Sequence, residues 1–178
     1  SARYRITADT RGGHSFADFG ARSAIEVLSR LTCALYRQAL PRAAGSVTTY
    51  NVGMISGGTS INAIAQHAEM LYEYRSNDAK SLAAMEEKLN VILRENALPD
   101  AKVTVELLGE RPCGTATDPA AQKALETACC AALKHYVGGK KPISVGSTDC
   151  NIPLSLGIPS ASFGMYRGGG AHTREEWI

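Results

Sequence analysis

Residues 69–96 read EMLYEYRSNDAKSLAAMEEKLNVILREN, and the change of periodicity inside this stretch decides the fold. Glu69 to Arg75 are rich in β-formers and alternate, which predicts a strand. Asn77 or Asp78 then offers a side-chain cap to a helix running to about Asn96. Leu82, Met85, Leu89 and Leu93 recur on one face of that helix. Leu98-Pro99-Asp100 ends it, and Lys102 to Leu108 (KVTVELL) predicts another strand. Upstream, Gly45 to Ile55 (GSVTTYNVGMI) predicts a strand and Ser56 to Ser60 (SGGTS) a turn. Asp18 to Leu40 places Ala24, Val27, Leu28, Leu31 and Leu35 at helical spacing, and Pro41 stops that helix. Arg3 to Thr10 (RYRITADT) predicts the first strand, followed by the glycine loop Arg11 to Ser15 (RGGHS).

The resulting order, β-α-β-β-α-β, predicts an α+β, ferredoxin-like domain over residues 1–111. Four antiparallel strands form its sheet and two helices cover one face. Its edge strands carry unpaired backbone groups and invite a partner.

The texture changes after Arg111. Residues 111–119 (RPCGTATDP) are turn-rich, and an alanine-rich helix is expected from Pro119 to Tyr136. Short strands are expected over Pro142 to Gly146 and Ile158 to Gly164, with the polar run Ser147 to Asn151 (STDCN) between them. Gly168 to Thr173 (GGGAHT) is a glycine loop, and Glu175-Glu176 reads as a helix start. One helix and two short strands bury little apolar surface by themselves. The segment 112–178 is therefore expected to belong to a larger α/β domain.

Bulk properties exclude several classes. With 19 Lys and Arg against 17 Asp and Glu, scattered along the chain, there is no basic stripe for nucleic acid. No apolar run is long enough to span a bilayer and no signal peptide is evident, so no membrane association is expected. The five cysteines follow no disulfide or CxxC spacing, which points to reduced thiols and a cytoplasmic setting.

The chemistry-bearing candidates are few. His172 follows three glycines, and His14 follows two. A glycine loop lets a ligand approach backbone closely, and imidazole is a common metal ligand. Taken alone, each reads better as an ordinary loop histidine. Ser147, Thr148 and Asp149 form a polar cluster at a strand end, where open α/β sheets bind ligands, but a helix cap reads the same way. No phosphate loop, nucleophile elbow or HExxH motif is present.

Together the pieces are more specific. GGHS followed by a helix, then NVGMISGGTSINAIAQHAEMLYEYRS, resembles the lid domain of the zinc-dependent aminoacylase, carboxypeptidase G, peptidase T and succinyl-diaminopimelate desuccinylase superfamily. STDCNIPLSLGIPSASFG followed by GGGAHTREEWI resembles the end of the catalytic domain in the same superfamily. The resemblance implies a lid and dimerisation domain over 1–111 and a C-terminal part of the catalytic domain over 112–178. It implies that His172 is a zinc ligand. It implies that His14 reaches into the partner subunit's active site and stabilises an oxyanion. It further implies substrate contacts from Asn62 and Arg75, a carboxylate contact from Arg111, and a pocket shaped by Ser147, Thr148, Asn151 and the amides of Gly168, Gly169 and Gly170. Two zinc ions per active site are implied, with cobalt or manganese as substitutes, acting on a small peptide or an N-acyl amino acid. A homodimer through the lid is implied as well.

The family takes its remaining ligands, a His-x-Asp motif and several acidic residues, from chain preceding the lid, and these motifs are not found here. One histidine falls short of the three or four protein ligands zinc usually takes. The chain is therefore expected to be a fragment, inactive alone, of a dinuclear zinc amidohydrolase. The alternative reading is a non-catalytic dimerisation module, for which His14, Asn62 and His172 would be free to vary.

Overall fold

A computed structural model describes residues 1–114, 117–137, 144, 146–163 and 168–178. The chain divides into two compact units, Ser1–Cys113 and Gly114–Ile178.

The first unit holds the strands β1 (Ala2–Thr10), β2 (Gly13–His14), β3 (Thr48–Gly57), β4 (Ala63–Ile64), β5 (His67–Ser76) and β6 (Ala101–Glu110). Its helices are α1 (Ala24–Arg37) and α2 (Ala79–Glu95). The main sheet runs β3-β5-β1-β6 with every neighbouring pair antiparallel, which is the ferredoxin-like order. The period-2 alternation of a strand sends neighbouring side chains to opposite faces. Ala2, Ile6 and Ala8 of β1 and Ala68, Met70, Tyr72 and Tyr74 of β5 are accordingly buried. They meet Ala24, Val27, Leu28, Leu31 and Leu35 of α1 and Met85, Leu89 and Ile92 of α2 in one core.

The opposite face is charged. Arg5 lies between Glu69 of β5 (3.6 Å) and Glu106 of β6 (2.7 Å), and Arg3 approaches Glu73 at 3.5 Å. These crossings join three adjacent strands on the side the helices leave open.

Local chemistry sets the element ends. Asp78 caps α2 by accepting from the Ser81 amide at 2.7 Å. The Ser81 side chain, followed by this amide, holds the Asp78 carboxyl below its usual range. The α1 helix is shorter than expected, beginning at Ala24 rather than Asp18. Residues 15–20 form turns instead, and Gly20 adopts φ 96°, a left-handed conformation that interrupts helix.

The second unit contains α3 (Pro119–Val137) and α4 (Asn151–Ser155). The strand expected at 158–164 does not form over the described residues 158–163. Its backbone is met by a side chain: Gln122 Nε2 donates to the Ser160 carbonyl and Gln122 Oε1 accepts from the Ser160 amide, both at 3.0 Å. Of the strand expected at 142–146, only Ser144 and Gly146 are among the described residues, and neither is in a strand. Glu175-Glu176 starts no helix, because the chain folds back so that Gly169 and Trp177 exchange backbone hydrogen bonds of 3.1 and 3.0 Å.

Candidate functional site

The loop after β1 is built around its two glycines. Gly12 has φ 66°, and a Cβ there would collide with Gln66 Cγ and come within 2.8 Å of the Ile64 carbonyl. A Cβ on Gly13 would lie 2.7 Å from Asp18 Cβ. Only glycine fits this path, and it delivers His14 into the short ribbon β2–β4, where His14 pairs with Ala63. The next amide, Ser15 N–H, donates to the Asn62 carbonyl at 2.9 Å. Two of the expected site residues, His14 and Asn62, are thereby brought side by side although 48 residues separate them in the chain. The Asn62 side chain accepts from Ser60 Oγ at 3.0 Å. The ribbon is tied to the sheet by Thr10, whose amide donates to the Gln66 carbonyl and whose Oγ1 donates to the Ala65 carbonyl.

A residue not singled out from the sequence organises this loop. The Asp18 carboxylate accepts from the His14 amide (2.8 Å) and from Arg11 Nη2 (2.7 Å). The His14 backbone hydrogen bond, followed by the Arg11 charge, holds the Asp18 carboxyl below its usual range. The only sequence signal for it was an acid four residues beyond the histidine. Around the loop, Phe16, Phe19 and Ile61 stand almost wholly in solvent, at 89%, 91% and 104% exposure. Exposed apolar side chains so grouped mark surfaces that meet something else.

Arg75 and Arg111 lie at the other end of the sheet. Arg75 is in the last turn of pleat on β5, and Arg111 follows β6. The register Tyr74↔Ala2↔Glu110 puts the two within three adjacent strands. His67, at the ribbon end of β5, and Arg75 are eight residues apart, or roughly 26 Å at strand rise. Arg75 is engaged by Glu73 in a two-pronged pair, Nε to Oε1 and Nη2 to Oε2, both 2.9 Å. Partial burial opposes ionisation of Glu73, yet this pair and the Arg3 charge hold its carboxyl below the usual range.

The remaining candidates sit in the second unit. Thr148 and Asn151 exchange hydrogen bonds: the Thr148 amide donates to Asn151 Oδ1 at 2.8 Å, and the Asn151 amide to the Thr148 carbonyl at 3.1 Å. Ser147 precedes this turn, which leads into α4. In the glycine loop, the Gly169 amide is committed to the Trp177 carbonyl, while Gly168 and Gly170 flank it. His172 is the one described non-glycine residue with positive φ, 63°. That conformation costs an L-residue about 1–2 kcal/mol, and such outliers concentrate at functional sites. Its amide donates to Glu176 Oε2 at 3.1 Å. Among the described residues, no three His, Cys, Asp or Glu side chains are grouped so as to hold a metal ion. His172 alone does not fit a zinc site.

Several solved structures are similar to this chain. A tripeptidase from Staphylococcus aureus is 25% identical, with a TM-score of 0.62, over 98% of this chain and 46% of its own. An aminobenzoyl-glutamate utilization protein from Klebsiella pneumoniae is 18% identical with a TM-score of 0.68, over 88% of this chain and 41% of its own. An amidase of the hydantoinase/carbamoylase family from Burkholderia vietnamiensis is 21% identical with a TM-score of 0.63, over 89% and 38%. The chain thus spans less than half the length of each. No curated protein matches it. The family model described as the peptidase dimerisation domain matches residues 1–101, across β1 to the start of β6, and the chain belongs to that family.

Proposed function

We propose that this chain is the lid, with the segment that follows it, of a dinuclear zinc amidohydrolase or exopeptidase. The substrate is a small peptide or N-acyl amino acid with a free carboxylate, and the working form is a homodimer joined through the lid. The observation that carries this reading is the separation of the two ends of the sheet. His14 and Asn62 lie in the ribbon at one end, and Arg75 and Arg111 at the other, with roughly 26 Å of strand between His67 and Arg75. A small substrate cannot touch both. In a dimer the two ends serve different active sites, so a donor from one subunit can complete the site of the other.

Within that reading each residue has a chemical task. His14 donates to the oxygen that gains charge as the amide is attacked, and Asn62 contacts the substrate beside it. Arg111 selects the carboxylate by its planar fork, and Arg75 does so after exchanging Glu73 for substrate. Ser147, Thr148, Asn151 and the loop Gly168–Gly170 shape the pocket. Zinc, or cobalt or manganese in its place, supplies an activated water when bound. His172 offers one imidazole, and the chain groups no further ligands around it among the described residues. This chain alone is therefore inactive. The exposed Phe16, Phe19 and Ile61 suit a loop that docks on a partner. All five cysteines are free thiols, which suits the cytoplasm, and among the described residues no helix is long and apolar enough to cross a membrane.

The test is His14→Ala in the full-length enzyme. Loss of one oxyanion donor lowers turnover about 100-fold or more, with the dimer intact. Turnover like that of the wild type would remove the role of His14 and favour a module that only dimerises. For the 178-residue chain, metal analysis after dialysis against trace zinc is expected to give close to zero per chain; two zinc ions per chain would overturn the incomplete-site reading.

A further inference from the structure

The geometry of the His14 loop defines which ring nitrogen carries the proton. His14 Nδ1 accepts from two backbone amides, Phe16 N–H at 3.3 Å and Ala17 N–H at 3.4 Å. A nitrogen that accepts uses its lone pair and bears no hydrogen. The arrangement is a reciprocal cap: the His14 ring satisfies the amides of the turn that follows, and Asp18 returns a carboxylate oxygen to the His14 amide at 2.8 Å. The turn is closed by Asp18 N–H donating to the His14 carbonyl at 2.9 Å, and Arg11 braces the carboxylate at 2.7 Å. Gly13 lies so close that a Cβ would fall 2.8 Å from Asp18 Oδ2, so nothing larger fits between the two partners.

We infer that Asp18 is a positioning residue that holds the His14 ring with Nδ1 turned into the loop and its proton on Nε2. This rests on the reading of His14 as a functional donor, and it extends that reading. With Nδ1 occupied, the outward nitrogen is a donor and carries no lone pair. His14 is thereby fitted to stabilise negative charge. It is unfitted to bind a metal ion or accept a proton through Nε2. Asp18 acts at a distance from the reacting atoms, through the backbone of residue 14.

The tautomer is read directly by long-range proton–nitrogen correlation spectra of the ¹⁵N-labelled 178-residue chain, at a pH where the ring is neutral. Expected is an unprotonated Nδ1 and a protonated Nε2 for His14, with the Phe16 and Ala17 amides protected from exchange. In Asp18→Ala both ring nitrogens move toward the averaged shifts of an imidazole exchanging between tautomers, and that protection is lost. Asp18→Asn keeps an oxygen acceptor for the His14 amide and restores the wild-type pattern. Unchanged amide shifts in β1 and β5 confirm that the variants are folded, and the wild-type spectrum tests the tautomer without any variant. A proton on Nδ1, or identical ring shifts in Asp18→Ala and wild type, overturns the inference. A fixed Nε2–H tautomer beside an unimpaired His14→Ala enzyme upholds the positioning by Asp18 and overturns the catalytic use of His14.

Discussion

The two units of this chain form helices for different reasons. In the first, α1 and α2 are amphipathic, and every fully buried residue of the described chain lies in this unit, between Ala2 and Ile92. In the second, α3 is the longest helix among the described residues at 19 residues, yet none of its described side chains is fully buried. Its sequence, PAAQKALETACCAALKHYV, is rich in alanine, which has the highest intrinsic helix propensity. One unit is held by packing and the other by local preference. Ile152, Leu156, Ile158, Phe163 and Trp177 of the second unit are all more than half exposed. Forming an element and burying it are therefore separate events. A segment can have its secondary structure without having found its core.

The strongest way to break this contrast is to truncate one leucine in each unit. Leu28 is 0% exposed, at the centre of α1's inner face. Leu28→Ala should cost about 2–5 kcal/mol, from lost transfer energy plus the cavity left behind. Leu125 of α3 is only partly buried. Leu125→Ala should cost less than about 1 kcal/mol, since alanine also raises helix propensity. Urea unfolding followed separately in each unit by residue-specific amide signals would read both. Equal costs would mean that the second unit has a core comparable to the first, and the distinction would fall.

The same contrast explains what could be read in the sequence. The four long strands and two helices of the first unit follow from alternation and from apolar residues three and four apart, because the partners that reward those patterns are in the same 113 residues. The ribbon of β2 and β4 was not legible, since two-residue strands carry no period. The sequence reading starts α1 at Asp18, whereas its apolar face begins at Ala24, after the left-handed Gly20. The strand expected at 158–164 does not form over the described residues 158–163 for another reason. IPSASFG has strand composition, but a strand is defined by its neighbour, and Gln122 takes that neighbour's place at Ser160. For the site, GGH singled out His14 and the family resemblance implied Asn62, while their adjacency and the bracing by Asp18 arise from pairing and turn geometry that no single motif encodes.

A smaller effect sharpens the contrast from the charged side of the sheet. Exposed ion pairs each contribute about 0.2–1 kcal/mol, so no single pair on β1, β5 and β6 holds the first unit together. Glu73 is the informative member, because it serves both Arg3 and Arg75 and its side chain is only 28% exposed. Its folded value lies below the ordinary 4.5. The sign follows from linkage: the unfolded chain binds the proton more readily, so the contribution is complete above pH 4.5 and is lost as pH falls through the lower folded value. Melting temperature should therefore drop in that acid window. Glu73→Gln should flatten the drop while slightly lowering the melting temperature at neutral pH, because Arg3 and Arg75 lose their shared carboxylate. The acid response should appear in the amides of β1 and β5 and leave those of α3 unmoved, since Glu73 and both its arginine partners lie on strands of the first unit. An acid transition of the same steepness in the variant would show that Glu73 does not set it, and would pass the role to Asp18 and Asp78, whose carboxyls are also held low by hydrogen bonds within the first unit.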